Sequence, residues 1–318
     1  MILKKATAVV TMSPLQHWFT RSRTGVSAAL LLLFAGVSLA QSSAQGWRFS
    51  ADAGATHQWR TELDGGGDLS IDAWALRASA GYAIGPALRL GIAAGAGERH
   101  YDFSGQGRFA GVDPWSKVTN ARISGSVFWR PNQRWTLFAI PTIRWNAESD
   151  ASMNDGRIAG LLGAASFQVN DRFSIGPGFG VFSELEEGSD WFPILAIDWR
   201  VTEQLRLSTG RGFAATRGPG LTLDWKPSDQ WVVSLGGRYE KERFRLDSRG
   251  AAPNGIGQET SIPVFLAVTR DIGQIKLSGL AGVELNGEVR LEDSDGQRLD
   301  RSNYDAAPFA GATIELSF

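Results

Sequence analysis

The last stretch of the chain, Tyr304–Phe318, reads YDAAPFAGATIELSF and decides the fold. Every second residue from Tyr304 onward is small or apolar, and the residues that alternate with them between Gly311 and Ser317 are polar or tiny. Successive side chains of a β-strand point to opposite faces, so this period of two predicts a strand with one apolar and one polar face. The apolar set ends on an aromatic residue, Phe318.

The N-terminal part of the chain predicts a cleaved secretory signal peptide, residues 1–40, ahead of one domain, residues 41–318. The segment Val26–Ala40 is apolar but short for a transmembrane helix. Ser38 and Ala40 are small residues at positions −3 and −1 of a cut before Gln41. No acidic residue occurs before position 41. The basic residues that precede the apolar run are Lys4, Lys5, Arg21 and Arg23.

Two details of this signal stay open, because Ala44 offers a second cut before Gln45 and the start is either Met1 or Met12.

The chain has no cysteine, which excludes a lipoprotein, disulfides, thiolate metal sites and cysteine catalysis. The net charge of the whole chain is −1, and removal of the signal would take away only positive charges. This balance argues against nucleic acid as a partner.

Two kinds of connection separate the alternating segments. Short ones are rich in Pro, Asn, Asp and Gly, which adopt turn dihedrals at low cost: Ile84-Gly85-Pro86, Arg130-Pro131-Asn132-Gln133, Val169-Asn170-Asp171, Val201-Thr202-Glu203, Lys226-Pro227-Ser228-Asp229 and Arg270-Asp271-Ile272-Gly273. Longer polar ones lie between them: Leu63–Asp68, Asp102–Pro114, Glu186–Asp190, Ser248–Gln258 and Asp293–Asp300. Short turns on one side and longer loops on the other are typical of all-β, transmembrane antiparallel β-barrels.

Pairing strands through six turns and adding the first and last strand predicts a barrel of about 14 strands, with 12 as the fallback. The fallback arises at Leu205–Lys226, where two strands must share a short span around Gly218-Pro219-Gly220. The segment Gly156–Asn170 is predicted as a strand, although a helix has some support. Its outward set is either Leu161, Ala165, Phe167 and Val169 or the set shifted by one residue.

The strand faces are readable elsewhere from the same alternation. In the fifth strand the predicted lipid-facing set has aromatic residues at both ends: Trp135, Leu137, Ala139, Ile143 and Trp145. Four tryptophans lie close to predicted turns: Trp129, Trp135, Trp225 and Trp231. Tryptophan is enriched where a membrane meets water, so this spacing predicts an aromatic girdle at the turn side.

A terminal strand with alternating faces and a final Phe318 resembles the closing strand of bacterial outer-membrane β-barrels. In those proteins the last aromatic residue is part of the signal read by the assembly machinery. The resemblance implies location in the outer membrane of a Gram-negative bacterium. It also implies contact with outer-membrane lipids, with periplasmic chaperones and, through the last strand, with the barrel-assembly machinery.

The loop RGAAPNGIGQETSIPVF within Glu240–Gly287 and the closing YDAAPF…F resemble an uncharacterised proteobacterial family of outer-membrane barrels, known only as a domain of unknown function. The resemblance covers most of the mature chain. Its motifs imply a fold and carry no known chemistry, so no functional residue is transferred from it.

Charged side chains are predicted on the lumen face, because lipid excludes them from the outer face. The basic ones are Arg77, Arg89, Arg122, Arg130, Arg144, Arg200, Arg206, Arg238 and Lys276. The acidic ones are Asp198, Asp224, Glu240, Glu284 and Glu315. They form either a salt-bridged wall that stiffens the barrel or a basic constriction that favours anions.

The function predicted from these features is a passive, porin-like narrow pore or small-solute transporter without a cofactor. The alternative is a structural or surface-interaction barrel with a blocked lumen. No connection is predicted to be long enough to fold into a plug. We therefore expect an open bore that only charged side chains narrow.

Enzymatic chemistry has little support in the sequence. Neither GxSxG nor HExxH occurs, and His57 and His100 share the parity of outward residues. A hydrolase at the rim would require His100 to work with nearby Glu98 and Ser104. Acidic residues near the loops could also bind a divalent cation, although a solvated loop is favoured. These residues are Glu184, Glu186, Glu187, Asp190, Glu292, Asp293 and Asp295.

Overall fold

The computed structural model describes residues 46–186, 188–209 and 220–318. The predicted signal peptide, its cleavage site and the Gly218-Pro219 part of one loop lie outside the described residues. The described chain is a closed antiparallel β-barrel of 14 strands, as the sequence predicted. No helix among the described residues is long and apolar enough to cross a membrane.

Sixteen strand segments build the barrel, because two of its strands are interrupted. The segments are β1 (Trp47–Glu62), β2 (Asp68–Ile84), β3 (Leu88–Ser104), β4 (Lys117–Trp129), β5 (Trp135–Glu148), β6 (Arg157–Asn170), β7 (Phe173–Ser183), β8 (Ser189–Arg200), β9 (Leu205–Thr209), β10 (Gly220–Ser228), β11 (Trp231–Arg238), β12 (Glu240–Arg245), β13 (Ile256–Ile272), β14 (Ile275–Glu292), β15 (Arg298–Tyr304) and β16 (Ala307–Ser317). One barrel strand consists of β11 and β12, and another of β15 and β16. The short span Leu205–Lys226 does hold two paired strands, β9 and β10.

The last strand closes the ring, as its alternation predicted. Strand β16 pairs with β1 from Ser50 opposite Ser317 to Gln58 opposite Phe309, and its other edge pairs with β14. Phe318 and Phe49 exchange backbone hydrogen bonds of 2.9 and 3.1 Å. A closed ring leaves no strand edge unpaired, which is the requirement for β-structure surrounded by lipid.

All six predicted turns are present and lie at one end of the barrel, here called the turn end. Their side chains cap the backbone: the side-chain Oδ1 of Asn132 accepts from the backbone amides of Arg134 and Trp135 at 2.9 and 3.0 Å. Gly85 and Gly273 have φ of 63° and 73°, a conformation that glycine adopts without strain. The longer connections lie at the opposite end, the loop end.

The outer face is apolar along most strands, and the predicted faces hold in the segments that decide them. Ile123 in β4 is 48% exposed, while its neighbour Ser124 lines the interior cavity described below. The ring of Phe167 lies 5.0 Å from that of Trp135 on the outer surface. This contact confirms the strand prediction for β6 and the first of its two registers. The four predicted girdle tryptophans are all exposed near the turn end.

The prediction that Tyr304 shares the outer face of the last strand is wrong. Residues Asp305 and Ala306 separate β15 from β16 and are not in a strand, so the alternation does not continue through them. Tyr304 is buried, and its hydroxyl donates to the carboxylate of Glu284 at 2.9 Å inside the barrel.

Strand β12 departs from the cylindrical wall at the loop end. Whereas β11 pairs with β10, β12 does not, and its end meets β5 in a parallel bridge between Arg245 and Ala147. The side-chain amide of Asn146 also donates to the carbonyl of Arg243 at 3.2 Å. The loop end is therefore closed by a smaller ring that bypasses β6–β10.

A hydrophobic core fills this smaller ring, which corrects the expectation of an open bore. The connections 105–116 and 246–255 fold inward and contribute Phe109, Trp115 and Leu246 to it. The indole of Trp115 is 2% exposed and lies 5.2 Å from the ring of Phe244 on β12. Loops of this length can plug the barrel because the smaller ring needs only a few large side chains to fill it.

We expect the outer face of β4 to contact lipid. Ile123→Arg places a charge on that face at mid-strand, where it costs ~2–4 kcal/mol at the bilayer midplane, whereas Ser124→Arg places it in the lumen. The yield of heat-modifiable barrel after refolding into lipid vesicles should fall for the first variant and be retained for the second. Equal yields would contradict the assigned faces.

Deleting Phe318 removes the backbone pair with Phe49 and the terminal aromatic ring together. We expect less barrel in the outer membrane and more protease-sensitive protein in the periplasm, as measured by fractionation and heat-modifiability. The variant Phe318→Tyr retains the ring and the pair and should assemble normally. Normal assembly of the deletion would refute the role of this residue as an assembly signal.

Candidate functional site

The candidate site is a cavity of about 1270 Å³ inside the barrel. Its lining includes Pro86, Asn132 and Asp171 from three turns, so the cavity reaches the turn end. At mid-barrel it ends near a row of arginines that includes Arg77, beneath the loop-end core. The cavity and the core therefore occupy different ends of the same bore.

Nine arginines line the cavity: Arg77, Arg122, Arg130, Arg134, Arg144, Arg172, Arg200, Arg206 and Arg238. The acidic residues in its lining are Asp171 and Asp198. Seven of these arginines and Asp198 belong to the residues predicted to face the lumen. Sequence reasoning did not include Arg134 and Arg172, because both lie in turns, where alternation no longer indicates a face.

None of the remaining predicted lumen residues lines the cavity. Lys276 pairs with Glu315 at 3.1 Å, and Asp224 accepts a hydrogen bond from Ser234 at 2.7 Å. Glu284 accepts from Tyr304, and Glu240 pairs with Arg238 at 2.7 Å. Arg89 lies opposite Phe128 of the neighbouring strand.

Strand register brings the mid-barrel arginines together. Arg122 of β4 lies directly opposite Arg144 of β5, and Arg77 lies opposite Asp52. Asp52 in turn lies opposite Glu315 of β16. Like charges in such positions repel each other, and the carboxylates of Asp52 and Glu242 offset part of this repulsion at Arg122.

Several of the lining arginines are held in place by other groups. Arg206 binds Asp198 through two nitrogens, with Nε at 2.7 Å from Oδ1. Arg200 donates to the carbonyl of Asp171 at 2.6 Å, and the guanidinium of Arg144 lies 5.2 Å from the centre of the Phe182 ring. Such contacts reduce the freedom of the side chains and keep the charges directed along the wall.

An apolar patch interrupts the basic lining. Phe128 and Phe138 lie opposite each other on β4 and β5, with ring centroids 5.8 Å apart. Ile140 and Leu162 form the next opposite pair, on β5 and β6. Sequence reasoning missed this patch, although Phe138 and Ile140 share the parity of Arg144 and therefore had to face the lumen.

A buried polar cluster separates the cavity from the loop-end core. Arg99 pairs with Glu259 at 2.8 Å and with Glu240 at 3.7 Å, and Glu240 continues the chain of ion pairs to Arg238 of the cavity wall. The hydroxyl of Tyr101 donates to Glu259 at 2.7 Å. The inward parity of Arg99 and Tyr101 was the available sequence signal, but nothing in the sequence paired them with Glu259.

Four of the acidic residues near the loops contact cationic side chains, whereas Asp293 accepts from the backbone amides of Asp295 and Gln297 at 3.0 and 2.7 Å. Arg243 binds Glu184, Glu186 and Glu292, and Lys241 binds Asp190 at 3.0 Å. Burial raises the pKa of the Glu186 carboxyl above its ordinary value, and the nearby Glu292 carboxylate acts in the same direction. Glu187 lies outside the described residues. Arg243 thus takes the position that a divalent cation would have been expected to occupy.

The two histidines of the barrel lie on its outer surface. The Nδ1 atom of His57 is 2.7 Å from a carboxylate oxygen of Asp72. The Nε2 atom of His100 is 3.5 Å from Glu98, which also binds Lys117 at 2.8 Å. The hydroxyl of Ser104 is buried without a hydrogen-bond partner, so the structure does not bring it to His100.

No model of a known protein family matches the chain. No curated protein matches it either. Solved structures similar to it include an outer-membrane channel from Pseudomonas putida F1, with 10% identity over 87% of this chain and 97% of that one, at a TM-score of 0.49. The translocator domain of the autotransporter NalP from Neisseria meningitidis has 12% identity over 92% and 96%, at 0.40.

A third similar structure is the Ralstonia pickettii toluene transporter TbuX, with 11% identity over 86% of this chain and 90% of that one, at a TM-score of 0.39. Similarities this low identify neither a family nor a solute for this chain. The resemblance of the loop Arg249–Phe265 to an uncharacterised proteobacterial family therefore stays a prediction.

The buried polar cluster should contribute strongly to stability. Glu259 is 3% exposed and accepts from Arg99 and Tyr101 together, so Glu259→Gln removes the nearer counter-charge of a buried guanidinium and leaves only the longer contact with Glu240. Breaking a buried ion pair costs about 3–5 kcal/mol. The free energy of unfolding in urea, measured in lipid vesicles, should fall by that order.

The matched control for this prediction is Glu203→Gln, which breaks the exposed ion pair with Arg172 near the turn end. An exposed pair contributes about 0–1 kcal/mol, so this variant should unfold almost as the parent does. Similar losses in the two variants would show that the Glu259 cluster has no special structural role.

Proposed function

We propose that the protein is a bacterial outer-membrane barrel that admits small anionic solutes to a basic lumen from its turn end. The observation that carries the proposal is the cavity lined by nine arginines and two aspartates. Basic walls concentrate anions, and a low-dielectric enclosure strengthens the attraction. An anionic occupant would also relieve the repulsion between Arg122 and Arg144.

Membrane location in this proposal rests on the closed ring and on its apolar outer face. The exposed tryptophans near the turns fit the interface between lipid and water. In outer-membrane barrels the short turns face the periplasm, which would direct the open end of the cavity to that compartment. The loop end would then face the outside, closed by its core in the conformation described here.

Transport in this proposal requires the loop-end core to open. The connections 105–116 and 246–255 and strand β12 are the elements that close it, and β12 meets β5 at one backbone bridge only among the described residues. Displacing them would join the cavity to the loop end without disturbing the pairing of β1 with β16. The proposed protein is therefore a gated, passive pore or transporter.

The alternative is a structural barrel with a blocked lumen, which the packed loop-end core favours. The two functions differ in conductance, so the test is reconstitution of the folded protein in planar bilayers. The variant Trp115→Ser loosens the core and should raise the fraction of time that a pore is open. A folded barrel without conductance in the parent and in this variant would support the structural function.

Reversal potentials test the role of the arginines. The double variant Arg122→Ser, Arg144→Ser should show a larger conductance and a weaker preference for chloride over potassium, by roughly twofold to fivefold for each charge at low salt. The preference of the parent should weaken as salt screens the wall. Arg270→Ser is the matched control, since Arg270 lies on the outer face against Trp231. An unchanged preference in the double variant would contradict a selective arginine wall.

A further inference from the structure

The apolar patch faces the cavity, and no element among the described residues covers Phe128 as the loop-end core covers Trp115. Phe128 is 39% exposed and faces the cavity, whereas Trp115 in the loop-end core is 2% exposed. Lumen faces of membrane barrels are usually polar. A cluster of aromatic and aliphatic side chains that faces a water-filled cavity is typical of a ligand-binding surface.

The inner face of β5, continued into its preceding turn, places this patch between charges. Its residues read, from the turn end, Arg134, Thr136, Phe138, Ile140, Thr142 and Arg144, and all six line the cavity. The four residue steps from Ile140 to Arg144 rise ~13 Å along the strand. The patch is thus within the length of a small molecule from a guanidinium.

A second guanidinium reaches the same place from the neighbouring strand. Arg122 lies opposite Arg144, and Ser124 lies opposite Thr142 one step nearer to the patch. Two arginines and two hydroxyl residues of the cavity lining therefore occupy neighbouring positions on β4 and β5, next to the apolar patch. Guanidinium groups bind carboxylates with strong, directional hydrogen bonds, and the hydroxyls can donate to the same group.

We propose that the cavity binds amphipathic organic carboxylates, with the carboxylate between Arg122 and Arg144 and an apolar body on Phe128, Phe138, Ile140 and Leu162. This inference rests on the proposed anion-admitting lumen and specifies the solute class. Neither half of such a ligand uses the whole site: a small hydrophilic anion does not cover the apolar patch, and an apolar alcohol brings no charge to the two arginines.

The dimensions favour a ligand of moderate size. Four residue rises, ~13 Å, separate the level of Ser124 and Thr142 from that of Phe128 and Phe138. A carboxylate joined to an aromatic ring through a short aliphatic chain spans most of this distance. We therefore choose 4-phenylbutyrate as the probe, with acetate and 4-phenylbutan-1-ol as its two halves.

Binding is measured by isothermal titration calorimetry on the folded barrel in lipid nanodiscs, with empty nanodiscs as the blank. We expect 4-phenylbutyrate to bind at least about tenfold more tightly than either half, because each half makes only one kind of contact. Equal binding of the alcohol would overturn the role of the arginines. Equal binding of acetate would overturn the role of the patch.

Substitutions locate the site. Phe138→Ser should weaken 4-phenylbutyrate binding about tenfold, the effect of losing one well-buried apolar contact. Leu162→Thr is the second variant in case the first folds poorly, since it introduces a β-branched residue, which suits a strand, into β6. Gln168→Ser is the matched control: it shortens another lining side chain near the turn end and should leave the affinity unchanged. Parent affinity in folded Phe138→Ser or Leu162→Thr would refute the site.

Conductance separates this inference from the function on which it rests. Chloride-selective current without 4-phenylbutyrate binding would retain the pore and overturn the solute class. Specific 4-phenylbutyrate binding without current in the parent or in Trp115→Ser would retain the binding site and overturn the pore. Block of the chloride current by 4-phenylbutyrate, lost in Phe138→Ser, would support both.

Discussion

Ring closure by β16 is the constraint on which the rest of the structure depends. A strand within lipid must have its backbone groups paired on both edges, and only a closed barrel satisfies this for every strand. Pairing β16 with both β1 and β14 meets the requirement. It also fixes the register, because moving β16 by one residue would send Glu315 to the outer face and Ile314 to the lumen.

Once the ring is closed, the lumen is divided along its axis by the chemistry of its inward residues. Aromatic and aliphatic side chains at the loop end, such as Phe109 and Phe244, pack together and exclude water. Arginines dominate at the turn end, and the ion pairs of Arg99 and Glu259 lie between the two regions. The same strands thus contribute apolar side chains to the loop-end core and arginines to the cavity. This is possible because inward and outward residues alternate, so the inner face can differ along a strand while the outer face stays apolar.

The sequence predicts the fold well because the signals are local. Turn residues, alternation and the closing strand led to 14 strands, six turns and the lumen position of most cavity arginines. The sequence could not indicate that β12 crosses to β5, since this contact depends on which distant strands end early. Trp115 and Leu246 lie in connections between strands, so the sequence predicts them as loop residues. Their burial also depends on which distant strands end early. The parity of Phe138 and Ile140 places the apolar patch on the inner face, but apolar residues in a strand do not by themselves indicate a binding surface.

The bridge from β12 to β5 has a consequence for the order of folding. Asn146 and Arg243, which meet there, are 97 residues apart in the chain, and all of β6–β10 lies between them. Closing so large a loop is entropically costly until the intervening strands have paired and brought its ends together. The bridge should therefore form late, after the cylinder is complete. During assembly the bore would be open at both ends, and closure of the loop end would be the final step rather than a property of the growing sheet.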